Sequence, residues 1–302
     1  MKQKIILLGI VLLGILFIIG IVVSEKGNEY IQFYGIYRVL GKITQNVNRS
    51  VPQILFITDE DEGKLKDYFK EYYGLSSSKN NKVNRYLNQL LDSIKPLTKR
   101  KLEYEIYLYP SDIPNAFALP GGLIFVTEGL LKIVKSESEL ISVIGHELGH
   151  IERYHCIDAV KYELAAKKLK LDELGEIADF ANKLLIKHSY SKNQEEEADE
   201  YSFELLKNTK YDPSSIVRAF KRLKEYYEDE FEESKYSDPI RDYFRSHPPL
   251  SIRIEKFRSK AKMWWFYNKG EKRYIGENNL KKMVPYSLKD FGEKEYIDKF
   301  IF

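Results

Sequence analysis

The chain has 302 residues, enough for one catalytic domain with a substantial core. Its 48 basic and 45 acidic side chains leave a formal charge of +3, so the global balance gives no argument for nucleic acid as a partner. A single cysteine, Cys156, excludes an internal disulfide framework and any C-x-x-C pattern, and reads as a small buried apolar residue.

At the N-terminus Lys2 and Lys4 precede an uninterrupted apolar run from Ile5 to Val23. At 1.5 Å per helical residue this run nearly spans a hydrocarbon core of about 30 Å. It is longer than the apolar region of a signal peptide, and Ile21-Val22-Val23-Ser24 is too bulky for a small-x-small cleavage site. Residues 1–24 therefore read as an uncleaved signal anchor, one transmembrane helix. The leading lysines keep its N-terminus cytoplasmic and put the catalytic part in the periplasm or outside the cell.

Acidic residues Asp59 to Glu62 suit a helix start; helical patterning continues to about Tyr73, and Gly74 ends it. A second helix is expected near Val83 to Ile94, stopped by Pro96. Both read as packing elements. The strict alternation of Leu102 to Tyr109 predicts a half-buried strand. Pro114-Asn115-Ala116-Phe117-Ala118-Leu119-Pro120-Gly121-Gly122 follows, where proline and paired glycines demote the segment to an edge strand or turn, and Leu123 to Val126 has strand composition. An edge formed by Asn115, Ala116, Phe117 and Ala118 could pair with an extended peptide; an ordinary ligand-free hairpin is the plainer alternative.

The next helix carries His146-Glu147-Leu148-Gly149-His150, an H-E-x-x-H. Ser136 and Glu139 have capping-box spacing ahead of it, and Leu140, Ile141, Val143, Ile144, Leu148 and Ile151 supply apolar faces. His146 and His150 lie one turn apart on one side and can share a metal, with Glu147 beside them to take a proton from water. The motif still needs a third ligand. Asp158 to Lys187 reads as a helix or helix pair, bracketed by His155 and His188, each read as a structural or surface imidazole. His155 retains the option of a hydrogen bond to a ligand.

The acidic run Glu195-Glu196-Glu197-Ala198-Asp199, in helical context, is the leading source of that ligand. Glu195 and Asp199 share a face, so one can bind metal while the other accepts the free N–H of a ligand imidazole; Glu196 and Glu197 are expected to point elsewhere.

These residues resemble a known group, the gluzincin zinc metallopeptidases of the HtpX and CAAX prenyl protease type, closest to the periplasmic quality-control branch. Asn115 to Gly122 resembles the family's N-A-F/Y-x-x-P-G-G segment, His146 to His155 its H-E-L-G-H-V-x-x-x-H, and Ser191 to Asp199 its S-R-x-x-E-x-x-A-D, with Lys192 where arginine is usual. Ser246 to Ile254 resembles S-H-P-x-x-x-x-R-I. The resemblance implies an α+β fold, a mostly helical zincin-type domain with a small β-sheet beside the H-E-x-x-H helix, after the N-terminal transmembrane helix. It implies one Zn²⁺ per chain on His146, His150 and Glu195, with Asp199 orienting a ligand histidine. Glu147 would be the base, and His247 and Arg253 would stabilise the tetrahedral intermediate.

Asp212-Pro213 reads as a cap and first turn of a helix running toward Glu233, which could wall the cleft. The domain organisation expected is a signal anchor at 1–24, an N-terminal helical part at 25–100, a metallopeptidase core at 101–255 and a basic aromatic tail at 256–302. In that tail Trp264-Trp265-Phe266-Tyr267 either packs back onto the domain or touches anionic lipid. The reading is a membrane-anchored zinc endopeptidase acting on unfolded or extended envelope polypeptides. The competing reading is a zinc-stabilised chaperone-like or binding module, which would keep the ligands without a chemical need for Glu147.

Overall fold

The computed structural model describes residues 59–75, 81–158, 190–231 and 250–301. The apolar run 5–23, the expected helix pair at 158–187 from residue 159 onward, His188 and His247 lie outside the described residues. Among the described residues no helix is long and apolar enough to cross a membrane.

Helix α1 (Asp59–Tyr72) starts at the acidic run and is ended by Gly74, whose φ of +60° lies in the left-handed region that favours glycine. Helix α2 (Lys82–Ile94) is capped by the Asn81 side chain, which accepts from the Val83 N–H, and Pro96 turns its exit into a 3-10 turn.

The sheet has strands β1 (Glu105–Tyr109), β2 (Ala116–Leu119) and β3 (Leu123–Thr127) in the order β1-β3-β2, with β1 parallel and β2 antiparallel to β3. Contrary to the half-buried expectation for β1, both faces are covered. Ile106, Ala118, Ile124 and Val126 join the main core, while Tyr107, Leu119, Leu123 and Phe125 pack with Leu65 and Phe69 of α1. The short α1 forms a second layer that strand alternation alone could not reveal.

The outer edge of β1 is closed by side chains. Asn84 Oδ1 accepts from the Leu108 N–H at 2.7 Å, and Asn88 bonds both the N–H and the carbonyl of Ile106. Two α2 asparagines thus occupy main-chain groups that would template further pairing. The opposite edge, β2, is turned toward the metal helix. Gly121 and Gly122 make the β2–β3 turn at φ +84° and +91°, and a Cβ at Gly121 would sit 2.4 Å from the Glu62 carbonyl oxygen of α1.

A short helix α3 (Glu128–Ile133) leads to α4 (Glu137–Glu152), the H-E-x-x-H helix. Ser136 caps α4 as expected, its hydroxyl accepting from Glu139 N–H, but Glu139 reaches back to the Lys135 N–H, one residue beyond the box partner. Helix α5 (Lys192–Lys207) has a complete box between Ser191 and Gln194, a signal the acidic run obscured in the sequence. Helices α4 and α5 cross where Gly145 and Gly149 face Ser202 and Ala198.

Helix α6 (Ser215–Phe231) begins two residues after the expected Pro213, because Asp212 closes a turn first, accepting from the Ser214 N–H. Helix α7 (Leu250–Tyr267) runs straight through residue 255 and buries Arg253, Ile254, Phe257, Ala261 and Trp265. Beyond it, β4 (Arg273–Tyr274) pairs antiparallel with β5 (Tyr296–Ile297), with α8 (Glu277–Lys282) between them. This segment packs back onto the domain: the carbonyls of Gly276 and Ile275 accept from the Glu137 and Ser138 N–H groups, satisfying the first turn of α4.

Candidate active site

The third candidate donor, Glu195, is brought in by helix crossing. Glycine at 149 lets α5 approach so closely that a Cβ there would lie 2.9 Å from Ala198 Cα. That contact lowers Glu195, one turn earlier on α5, onto His146 and His150.

The geometry is that of a three-donor cup. His146 Nε2 and His150 Nε2 are 3.1 Å apart, His150 Nε2 is 3.3 Å from Glu195 Oε1, and His146 Nε2 is 3.6 Å from Glu195 Oε2. A tetrahedral ion with bonds of about 2.0–2.1 Å sets its ligand atoms roughly 3.3 Å apart, so this donor set fits zinc. Two buried imidazoles facing each other through Nε2, with a buried carboxylate completing the triangle, have little other use for that arrangement. His150 is fully buried, and burial drives its pKa down to about 3, so its imidazole stays neutral and keeps a lone pair to give.

Each of the three donors is held from behind. Asp199 Oδ1 lies 2.8 Å from His146 Nδ1. Burial works against charge on His146, but Asp199 and Glu195 outweigh it and its pKa rises. Asp199 is in turn gripped by Arg253 through Nε at 2.8 Å and Nη2 at 2.6 Å. Burial alone would raise the Asp199 carboxyl; the Arg253 cation and His146 bring it below its ordinary value. Arg253 Nη1 lies 3.7 Å from Glu195 Oε2, and the guanidinium stacks over the Phe220 ring. Arg253 thus lines the cleft, with two of its donors on Asp199, because a buried carboxylate needs a counter-ion.

His155 is buried and lies outside the ligand triangle, as expected. Its Nδ1 is 3.1 Å from His150 Nδ1, and its Nε2 is 3.2 Å from Glu197 Oε2. Glu197, expected to point away, thus turns toward the site, whereas Glu196 pairs with Lys256 at the surface. Tyr190, which the sequence did not single out, stacks on the His150 ring at 3.7 Å. Its hydroxyl lies 3.4 Å from the buried Cys156 sulfur.

Glu147 stands beside the triangle, and among the described residues its buried Oε2 has no hydrogen-bond partner. Burial, reinforced by the Glu195 charge, pushes its pKa up to about 8; His146, Arg253 and the Ala118 N–H pull the other way. In an antiparallel pair alternate residues turn their main-chain groups outward. Asn115 bonds β3 through its carbonyl, which accepts from the Thr127 N–H, so Ala116 and Ala118 turn away from β3, and the Ala118 N–H meets Glu147. A cleft runs along this edge, lined by Asn115, Ala116, His146, Glu147, Glu195 and Arg253, with Phe220 and Leu223 of α6 as its far wall.

Residues 77–261 match the description Peptidase family M48. The chain belongs to this family. It carries a zinc metalloendopeptidase domain, and M48 metalloproteases are zinc-dependent. Metalloprotease YcaL of Escherichia coli K12 is 28% identical over 199 residues, covering 61% of this chain and 72% of YcaL. Mitochondrial metalloendopeptidase OMA1 of Schizosaccharomyces pombe is 29% identical over 40% of this chain and 38% of that protein. The beta-barrel assembly-enhancing protease of E. coli K12 is 22% identical over 69% of this chain and 42% of its own length. The chain therefore spans most of YcaL but less than half of the other two.

Proposed function

We propose that this M48 peptidase is a membrane-anchored endopeptidase that cuts extended or unfolded envelope polypeptides. The run 5–23 would serve as the single-pass anchor, with a cytoplasmic N-terminus and the catalytic part in the periplasm or outside the cell. The observation that carries the reading is the meeting of three elements in one cleft: the His146–His150–Glu195 triangle, the carboxylate of Glu147, and the outward main-chain edge of β2. The Ala118 N–H is taken by Glu147 and its carbonyl faces Cys156 Sγ, so a substrate strand laid along Asn115 to Ala118 would pair through the outward main-chain groups of Ala116, which suits substrates chosen for being extended rather than for sequence. The assignment to envelope proteins follows the anchor and the beta-barrel assembly-enhancing relative.

His146, His150 and Glu195 would hold one zinc ion, which would supply Lewis acidity and lower the pKa of a water to about 7. Glu147 takes the proton of the attacking water and delivers it to the leaving amine as the C–N bond breaks. The charge of an ion in the cup would bring the Glu147 carboxyl down from about 8 and keep it ionised to accept that proton. Asp199 fixes the His146 tautomer, and Arg253 holds Asp199. Nη1 of Arg253, with His247, is assigned to the negative charge that develops on the carbonyl oxygen.

The test is cleavage of unfolded casein by the full chain, with bound zinc quantified, beside Glu147→Gln. Loss of about 10²–10⁴ in rate with zinc retained is expected of a missing general base. A zinc-loaded wild-type protein that binds casein and never cuts it would replace the peptidase with a binding module.

A further inference from the structure

Helix α7 is two-sided, and its outer side is not what a solvated helix carries. Ile254, Phe257, Ala261 and Trp265 face the core, while Met263, Phe266 and Tyr267 are 59%, 63% and 74% exposed. At about 100° per residue these three fall within one stripe at the C-terminal end of the helix. The Phe266 and Tyr267 rings pack edge to face at 5.3 Å, so they form one continuous apolar surface. The structure thus divides the Trp264-Trp265-Phe266-Tyr267 run. Trp265 is anchored inside by Ser214 and Asp212, and Trp264 stacks under Arg273, leaving Phe266 and Tyr267 outside. The patch is remote from the cleft: Arg253 lies ten or more residues back along α7, or about 15–20 Å at 1.5 Å per residue.

Its border is cationic. Lys262 is exposed on the same helix, and the Lys269 ammonium lies 4.8 Å from the Phe266 ring centroid. Farther back on α7, Lys256 and Lys260 are bonded to Glu196 and Glu200, so that part of the helix is neutralised. Near the patch the acidic Glu271 is held by Arg273 at 2.6 Å. Among the described residues Lys262 and Lys269 meet aromatic rings, Phe300 and Phe266, and no carboxylate, so positive charge is concentrated where the apolar side chains emerge. A two-fold contact between copies would set Lys262 and Lys269 against themselves, whereas an anionic bilayer offers both an apolar layer and a complementary charge.

We infer that the C-terminal end of α7 seats on the surface of an anionic lipid bilayer. Met263, Phe266 and Tyr267 enter the headgroup region, and Lys262 and Lys269 lie against the lipid phosphates. This surface is separate from the proposed anchor and would hold the domain in a fixed orientation on the membrane.

The experiment uses the full chain with Tyr267→Trp as reporter, mixed with phosphatidylcholine vesicles or with vesicles also containing phosphatidylglycerol, each with and without brominated acyl chains. Flotation reports whether the protein is held by the membrane at all, and so tests the anchor; quenching of the reporter by bromine tests the patch. At least a halving of the added emission is expected in anionic brominated vesicles. Lys262→Glu with Lys269→Glu should remove that quenching while the protein still floats and melts as before, and Met263→Ser with Phe266→Ser should do the same. Floating protein without quenching in anionic vesicles overturns the inference, as does failure to float in them. Equal quenching in neutral vesicles or in the lysine variant removes the charge from it. A blue shift of the reporter that grows with protein concentration in the absence of lipid would assign the patch to a second copy instead.

Discussion

Replacing Gly149 by alanine tests whether the helix crossing builds the metal site. In a helix interior the change would ordinarily stabilise by about 1 kcal/mol, because alanine is the better helix former. Here the new Cβ would meet Ala198 Cα at 2.9 Å, the Ala198 carbonyl oxygen at 3.0 Å and Tyr201 Cβ at 3.1 Å. Carbon contacts relax at about 3.5–4.0 Å, so α5 must retreat by at least about half an ångström. Overpacking of this kind costs about 1–3 kcal/mol, which exceeds or cancels the propensity gain. The retreat carries Glu195 away from His146 and His150, so zinc affinity should suffer more than stability. Gly145, one turn earlier, is the internal control: its Cβ would meet Ser202 Oγ at 3.2 Å and Ser202 Cα at 3.4 Å, so the neighbour need yield by only a few tenths of an ångström. Zinc competition against a chelator, with thermal melts alongside, should show Gly149→Ala losing zinc affinity and Gly145→Ala close to wild type in both measures. If Gly149→Ala binds zinc as tightly as wild type, the approach of α5 does not position the ligand, and the account of the site is wrong.

Other residues give independent checks. Glu137 is buried under Tyr86, Tyr211 and the Tyr286 N–H at the start of α4, and burial lifts its pKa to about 7. Being raised above the unfolded value, it contributes stability that is complete below about pH 4.5 and lost as pH rises through 7; Glu137→Gln should remove that slope, worth up to about 3 kcal/mol between pH 5 and pH 9 in urea unfolding. An identical slope in the variant would refute the burial argument. His155→Ala removes the group behind His150 Nδ1 and should weaken zinc binding about 10–100-fold, with part of the loss recovered in His155→Asn; unchanged affinity would reduce His155 to packing. Arg253→Met leaves Asp199 buried without its cation and should cost about 3–5 kcal/mol in unfolding experiments, a loss that Arg253→Met with Asp199→Leu should largely recover.

Much of the site was legible because its chemistry is local. His146, Glu147 and His150 owe their relation to one helical turn, and the Ser136 cap and the Pro96 stop act within a few residues. Other features were not legible, since they depend on elements distant in the chain. The second face of the sheet is buried by α1, and the edge of β1 is closed by Asn84 and Asn88, polar residues that read as ordinary helix surface. Glu197 turns to His155 only because α5 crosses the end of α4, and nothing in the acidic run separates it from Glu196.

The sequence by itself determined the family, the donor types and the helix that presents two of them, since residue identity and a 3.6-residue period suffice for those. Tertiary structure alone decided that Arg253 would grip Asp199, that α7 would bury Trp265 while exposing Phe266, and that Glu195 would reach the histidines. Each of these is a distance between segments far apart in the chain, set by how closely two surfaces pack, and packing is settled only when the whole core is assembled.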